Sequence, residues 1–180
     1  MRSGLLSLLL LTGILSAQES EQFPFVGLSV STQTLGYADR NMTHGSDETT
    51  TGFSLRYGKQ TQEWRTVFGI DYHADAYSGL YVEVDKVLLD AMFGTPKLRP
   101  YLGMTVGYMH MDNLDDVALM PGETEGDLET NGFYFGRNFG FLIYATDTID
   151  VDISYHYYKT QNLDYLDDIH GAQFAVHYFF

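Results

Sequence analysis

The residue types that could support covalent chemistry lie together in one polar segment, which contains His44, Ser46, Asp47 and Glu48. Histidine, serine and an acid are the components of a serine nucleophile that is activated by a general base. Neighbours on a loop do not by themselves hold the base against the nucleophile, because that pair requires a fixed hydrogen-bond geometry. The sequence therefore does not predict catalysis, although a hydrolytic enzyme stays open as an alternative.

A second group of reactive side chains is a run of carboxylates. The segment from Asp112 to Thr130 contains no Lys or Arg, and its acidic residues are Asp112, Asp115, Asp116, Glu123, Glu125, Asp127 and Glu129. Carboxylate oxygens are the ligands that Ca²⁺ prefers, so the candidate ligands for a divalent cation are Asp115, Asp116, Glu123, Glu125 and Asp127. The spacing of an EF-hand loop is absent. A solvated acidic loop is therefore the simpler interpretation, and neither a metal site nor a cofactor is predicted.

One short motif could mark a modification. Asn41 has Asp39 two residues before it and Thr43 two residues after it, which matches the extended acceptor pattern of bacterial N-glycosylation. A match of this length occurs often by chance, so glycosylation of Asn41 is not part of the prediction.

The composition excludes several classes of protein. A chain of 180 residues suits one domain. Its 24 acidic residues outnumber 10 basic ones, giving a net charge of -14, which disfavours nucleic acid as a partner because a binder must neutralise phosphates. The absence of cysteine excludes a disulfide framework and a thiolate metal site. The many Tyr, Phe and Gly residues point to an all-β fold.

The first seventeen residues have the pattern of a signal peptide. Arg2 precedes an apolar run from Leu5 to Leu15, and Ser16-Ala17 supplies small residues for cleavage. A transmembrane helix would need about 20 apolar residues, whereas the polar residues after Ala17 end the run early. We therefore expect a signal peptide over 1–17 and a single domain over 18–180.

The elements that must position any site are strands, because apolar and polar residues alternate with a period of two. Val26, Leu28 and Val30 illustrate the pattern in the first segment. Seven more segments begin at Phe53, Trp64, Leu80, Leu102, Phe139, Val151 and Phe174. Short and long connections tend to alternate between them. This arrangement predicts an antiparallel up-and-down sheet whose two ends are unlike.

The two faces of these segments distinguish a soluble sandwich from a transmembrane barrel. One face is apolar, and the other carries charges of both signs near mid-strand: Arg56, Arg65, Asp71, Glu83, Asp85 and Asp152. Charges of both signs can pair inside a closed barrel, where an unpaired charge would be costly. Aromatic residues near the segment ends are typical of interfacial girdles, and we assign to them Tyr57, Trp64, Tyr72, Tyr101, Tyr108, Tyr144, Tyr157 and Tyr178. We expect an eight-stranded antiparallel transmembrane β-barrel with a lumen charge network; a soluble β-protein is the alternative.

Two places break the alternation. The apolar parity switches between Val84 and Val87, which predicts a β-bulge at Asp85–Lys86, with Leu89, Ala91 and Phe93 continuing the outer face. Arg137 shares the parity of its apolar neighbours. An arginine on the lipid face costs about 2–4 kcal/mol at the midplane and about 0–1 kcal/mol near an interface, so we expect Arg137 near the outer surface.

The end of the sequence resembles the C-terminal signal of Gram-negative outer-membrane barrels. The signal positions are Phe174, Val176, Tyr178 and Phe180, and Pro100-Tyr101-Leu102-Gly103 resembles the fifth strand of OmpA/OmpX-like eight-stranded barrels. The resemblance implies an outer-membrane location, a monomer, contact with outer-membrane lipid and lipopolysaccharide, and insertion by the barrel-assembly machinery. The peptidoglycan-binding domain of the OmpA proteins is not expected after Phe180.

The function follows partly by elimination. The lumen of an eight-stranded barrel is about wide enough only for side chains, so general diffusion is not expected. We expect a non-enzymatic outer-membrane protein that contributes to membrane integrity or to surface interaction through acidic extracellular loops. The alternatives are an enzyme that modifies lipid A or phospholipid, and a narrow ion channel.

Overall fold

The computed structural model describes residues 21–38, 47–88, 94–114, 117, 119, 122 and 124–180. Several features singled out above lie outside these residues. They are the signal peptide, Asn41, the His44 and Ser46 pair, the Leu89, Ala91 and Phe93 positions, and three of the candidate cation ligands, Asp115, Asp116 and Glu123.

Eight strands close into one antiparallel barrel, in which each strand pairs with the next and the last pairs with the first. They are β1 (Phe23–Tyr37), β2 (Glu48–Gln60), β3 (Trp64–His73), β4 (Tyr77–Val87), β5 (Leu98–Met111), β6 (Asn131–Tyr144), β7 (Ile149–Gln161) and β8 (Leu166–Phe179). The predicted fold class is confirmed. A short 3₁₀ turn spans Glu125–Asp127. Among the described residues, no helix is long and apolar enough to cross a membrane.

The strands are staggered around the barrel. Following the register from Phe25 on β1 through all eight strands returns to β1 at Leu35, ten residues further along. A closed barrel requires such a stagger, because the strands tilt relative to its axis. A row of paired residues followed from β1 through β2 to β8 therefore approaches the end of the barrel at which β1 ends.

The barrel has two unlike ends. At one, which we call the terminus end, lie Phe23, Phe180 and the connections 61–63, 88–97 and 145–148. At the other, the loop end, lie the connections 38–47, 74–76, 112–130 and 162–165. The connection between β4 and β5 is longer than the sequence suggested, because β4 ends at Val87.

The period of two in the sequence becomes an apolar exterior and a mixed interior. Apolar side chains cover the outer wall, and the exposed ones include Leu28, Val30, Phe53, Leu55, Ile70, Leu80, Met104, Val106, Phe139 and Phe174. Their neighbours along each strand point into the lumen, since successive side chains of a strand lie on opposite faces. A continuous apolar exterior of this kind is what a lipid-facing barrel presents.

The predicted bulge at Asp85–Lys86 is wrong. The register of β4 runs without a shift against both β3 and β5 across these residues, and Val87 points inward and is buried. The switch in apolar parity arises because the terminus end of the lumen is closed by apolar side chains, so an inward position there is not polar. The irregularity in the barrel lies instead between Gly36 and Tyr37, where β1 pairs with β8.

Glycines make room for the large side chains in the lumen. Tyr81 lies directly across from Gly69 on one side and from Gly107 on the other, and a Cβ added at Gly69 would overlap the Tyr81 ring. The same pairing sets Gly107 against Tyr134 and Gly140 against Tyr101. The narrow lumen is thus packed in part by placing large residues opposite residues that have no side chain.

Replacing Gly69 with Val should destabilise the barrel by about 1–3 kcal/mol, because the added side chain overpacks a filled interior. The measurement is the free energy of unfolding in urea, in detergent or lipid. Thr66→Val on the outer face of the same strand serves as a matched control and should have no such effect. The loss should shrink in the Tyr81→Ala background; an equal loss there would contradict the pairing of Gly69 with Tyr81.

Candidate functional site

The centre of the lumen is a network of buried ion pairs. Arg65 Nε lies 2.7 Å from Asp85 Oδ2, and its Nη2 lies 2.8 Å from Asp152 Oδ2. Arg56 Nη2 lies 2.8 Å from Glu83 Oε1, and its Nη1 lies 3.3 Å from Asp152 Oδ2. The Glu83 carboxylate is shared, since Arg65 Nη2 also approaches it at 3.3 Å. These five side chains form one connected cluster.

Neutral donors complete the cluster. Asn138 Nδ2 donates to Asp85 Oδ1 at 2.7 Å, and the Tyr101 hydroxyl donates to Asp152 Oδ1 at 2.8 Å. The Arg65 guanidinium also lies over the Tyr101 ring, 4.6 Å from its centroid. Two arginines face three carboxylates, and these neutral donors hydrogen-bond two of the three, those of Asp85 and Asp152.

Five of the six lumen charges singled out in the sequence meet in this cluster, and Asp71 does not. The Tyr134 hydroxyl donates to Asp71 Oδ2 at 3.2 Å instead. His177 has inward parity in the sequence and belongs to the lumen, but its partner was not predicted. Its Nδ1 lies 2.7 Å from Asp150 Oδ1, and both side chains are buried. The inward parity of Asp150 was the signal that could have revealed the pair.

Two tyrosines that the sequence assigned to the aromatic girdles, Tyr101 and Tyr144, do not lie there. Tyr101 is buried and forms an apolar cluster with Val87 and Leu142 inside the barrel. Tyr144 packs against these three side chains. Tyr101 has the same parity as Gly103, so its position along the strand already indicated an inward side chain. Together these residues close the terminus end of the lumen.

The loop end of the lumen is closed by a larger apolar cluster. It includes Leu35, Tyr77, Met109, Met111, Val117, Leu128, Tyr134, Tyr158, Leu163 and Tyr165. Residues of the loop-end connections belong to this cluster, and the Tyr165 hydroxyl donates to the Glu129 carbonyl at 2.7 Å. Burial raises the pKa of Tyr165 to about 12. The lumen is therefore filled at both ends as well as at its centre.

The acidic loop is described only in part. Asp127 Oδ2 accepts hydrogen bonds from the Thr124 backbone N–H at 2.9 Å and from its hydroxyl at 2.8 Å, and these bonds lower the pKa of Asp127. Glu125 lies in the same 3₁₀ turn. Within the described part of the chain, no group of three His, Asp or Glu side chains is arranged to hold a metal ion.

Several polar side chains lie together on the outer wall near the loop end. Asp168 Oδ2 accepts from the Tyr157 hydroxyl at 3.2 Å and from Lys159 Nζ at 3.3 Å, while Asp168 Oδ1 lies 3.3 Å from His170 Nδ1. An open groove of about 490 Å³ runs beside them, and Asp47 also lines it. Arg137 is exposed on the neighbouring strand.

The last strand presents the proposed assembly signal to the outside. Phe174, Val176, Tyr178 and Phe180 are all exposed, and the first three are paired within the barrel wall by β1 and β7. They form an apolar stripe on the outer face of β8.

Comparison with known structures decides the class of the barrel. No protein-family model and no curated protein matches the sequence. The structure is similar to Neisserial surface protein A, with a TM-score of 0.61 and 11% identity over 87% of this chain and 97% of that one. It is also similar to outer membrane protein H of P. aeruginosa, with a TM-score of 0.55 and 18% identity over 88% and 99% of the two chains.

The chain has the fold of the small outer-membrane β-barrels. The predicted resemblance to OmpA/OmpX-like barrels is thereby confirmed at the level of the fold. The predicted location in the outer membrane follows from this fold together with the apolar exterior. In an outer-membrane barrel, the exposed apolar side chains contact lipid, and the lumen charges are shielded from it.

Proposed function

We propose that the protein is a non-enzymatic outer-membrane barrel that contributes to membrane integrity and presents its acidic loop end as an interaction surface. The observation that carries this proposal is the filled lumen, in which Arg56, Arg65, Asp85 and Asp152 have no exposed surface. A lumen occupied by paired charges offers no path for a solute. The barrel wall and the loop end are then the surfaces that remain for function.

The loop end suits interaction through charge. The chain carries -14, and the described loop-end connections expose the carboxylates of Asp112, Asp127, Glu129 and Asp164. Such carboxylates attract divalent cations, which can join them to the phosphates of lipopolysaccharide. We further propose that the protein acts as a monomer and that the barrel-assembly machinery reads the apolar stripe of β8 during insertion.

Gene deletion followed by complementation tests the two parts of this proposal separately. Deletion should increase sensitivity to detergent with EDTA, and the wild-type gene should restore resistance. A variant in which the acidic residues of segment 112–130 become Asn or Gln should restore the barrier only partly if the loops contribute. Full restoration by this variant would assign integrity to the barrel alone, and an unchanged deletion strain would contradict the integrity role.

Conductance measurements test the closed lumen. The purified protein should produce no stepwise current in a planar lipid bilayer, because the paired charges and the two apolar clusters block the path. A porin of about 16–18 strands, which encloses an aqueous channel, is the positive control. Reproducible unit steps from the wild-type protein would favour the ion-channel alternative. Conversion of added lipid A or phospholipid would favour the enzyme alternative.

A further inference from the structure

Arg137 is a cation on the lipid-facing wall. It lies on β6 between Phe135 and Phe139, which are also exposed. Its partners on the neighbouring strands are Met104 and Tyr157. Five residues lie between Arg137 and the first residue of β6, and six lie between it and the last, so Arg137 is near the middle of the strand. The expected position near the outer surface stays a prediction.

The described residues supply no anion to Arg137. Within the described residues, no hydrogen bond or ion pair connects Arg137 to another side chain. Across from Arg137, the Tyr157 hydroxyl contacts the carboxylate of Asp168, which Lys159 and His170 also engage. A guanidinium on a lipid-facing wall without a counter-charge in the protein suits an anion from outside the chain.

The stagger of the barrel gives Arg137 a polar route to the membrane surface. Arg137 pairs with Tyr157, which pairs with His170, and this row climbs towards the loop end. Lys159 is a diagonal neighbour of Arg137, since it pairs with Phe135, and long side chains at diagonal positions can reach one another. A long side chain can follow such a route with its charged head while its stem stays in the apolar belt.

The distribution of the other cations singles out this position. Arg56 and Arg65 lie in the lumen, while the described cations near the terminus end are Lys59, Lys86, Lys97 and Arg99. Among the described residues, only Arg137 and Lys159 remain on the outer wall towards the loop end. Among the described residues, the acidic barrel thus places its two remaining positive side chains at diagonal positions on the outer wall.

We propose that Arg137, with Lys159 above it, binds the phosphate group of an outer-leaflet lipid whose acyl chains lie against Phe139. Arginine suits this role because its planar guanidinium can donate two parallel hydrogen bonds to a phosphate. The phosphate comes from lipid A or from a phospholipid. The inference rests on the outer-membrane placement in the proposed function, and it adds a defined lipid site to the barrel wall.

Lipid titration monitored by native mass spectrometry tests the site. The full protein in detergent micelles is titrated with diphosphoryl lipid A, with dephosphorylated lipid A and with phosphatidylglycerol. Arg137→Leu should bind diphosphoryl lipid A about tenfold more weakly than the wild type, because a charge-assisted contact is lost. Arg99→Gln, which removes a cation near the terminus end, should bind like the wild type. Dephosphorylated lipid A should not distinguish the variants.

The outcomes separate the sources of the phosphate from failure of the site. The same loss with phosphatidylglycerol but not with lipid A would support the site and assign its phosphate to phospholipid. Equal binding of both phosphorylated lipids by Arg137→Leu and the wild type would overturn it. Leucine suits a lipid-facing position, so Arg137→Leu should fold at least as stably in plain detergent; a loss of folding there would also overturn the proposal by making Arg137 structural. If gene deletion leaves the membrane barrier unchanged, the proposed function is contradicted but the lipid site is not.

Discussion

Replacing Arg65 with Met should destabilise the barrel by about 3–5 kcal/mol, because removing one partner of a buried ion cluster leaves the others uncompensated. Arg65 contacts three carboxylates, those of Asp85, Asp152 and Glu83, and none of them is exposed to solvent that could replace it. The free energy of unfolding in urea is the measurement, followed by fluorescence of the single tryptophan.

A matched pair of variants separates burial from the mere loss of an ion pair. Lys86 binds Glu63 at the rim of the terminus end, where the contact lowers the pKa of Glu63. Lys86→Gln should have a much smaller effect, because exposed ion pairs contribute little. Adding Asp85→Asn and Asp152→Asn to Arg65→Met should recover part of the lost stability. An Arg65→Met barrel as stable as the wild type would contradict the buried network.

Introducing a charge on the outer wall should destabilise the barrel in lipid. Leu28 lies on β1 between Leu55 and Val176 on the neighbouring strands, and it is 66% exposed. If this surface contacts the bilayer core, Leu28→Arg should cost about 2–4 kcal/mol in unfolding free energy measured in lipid vesicles. If the surface were in water, the same substitution would cost little.

Thr32 provides the control for this experiment. It lies on the same face of β1, closer to the loop end, and it pairs with Thr51, so the apolar belt has ended there. Thr32→Arg should cost about 0–1 kcal/mol, as expected near an interface. Equal costs at positions 28 and 32 would contradict the assignment of the belt.

The strands could be predicted because a half-buried strand repeats every two residues, and this signal is strong in segments such as Phe53–Tyr57. The assumption that inward residues are polar failed at the terminus end, where the interior is apolar. Val87 is apolar and yet points inward, since it packs with Tyr101 and Leu142 at the terminus end. If every inward residue is assumed to be polar, this apolar side chain must point outward, and the sequence then predicts a bulge that is not present.

The lumen charges could be assigned to the interior from parity, but their partners could not. Partners depend on the stagger of the barrel, which brings Arg56 to Asp152 from strands far apart in the sequence. The same stagger sets Asp71 beside Tyr134 instead of beside an arginine. The depth of Arg137 in the membrane stays a prediction, because no local pattern fixes where a strand crosses the apolar belt.

Electrophoretic mobility of the protein in an outer-membrane fraction, compared with and without boiling in SDS, tests the closed outer-membrane barrel most directly. Every strand is paired on both edges, so the unheated barrel should resist SDS and migrate differently from the boiled, unfolded chain. The Arg65→Met variant should lose the folded band at a lower temperature. A protein found in the soluble fraction, with the same mobility before and after boiling, would contradict the membrane barrel and the functions proposed for it.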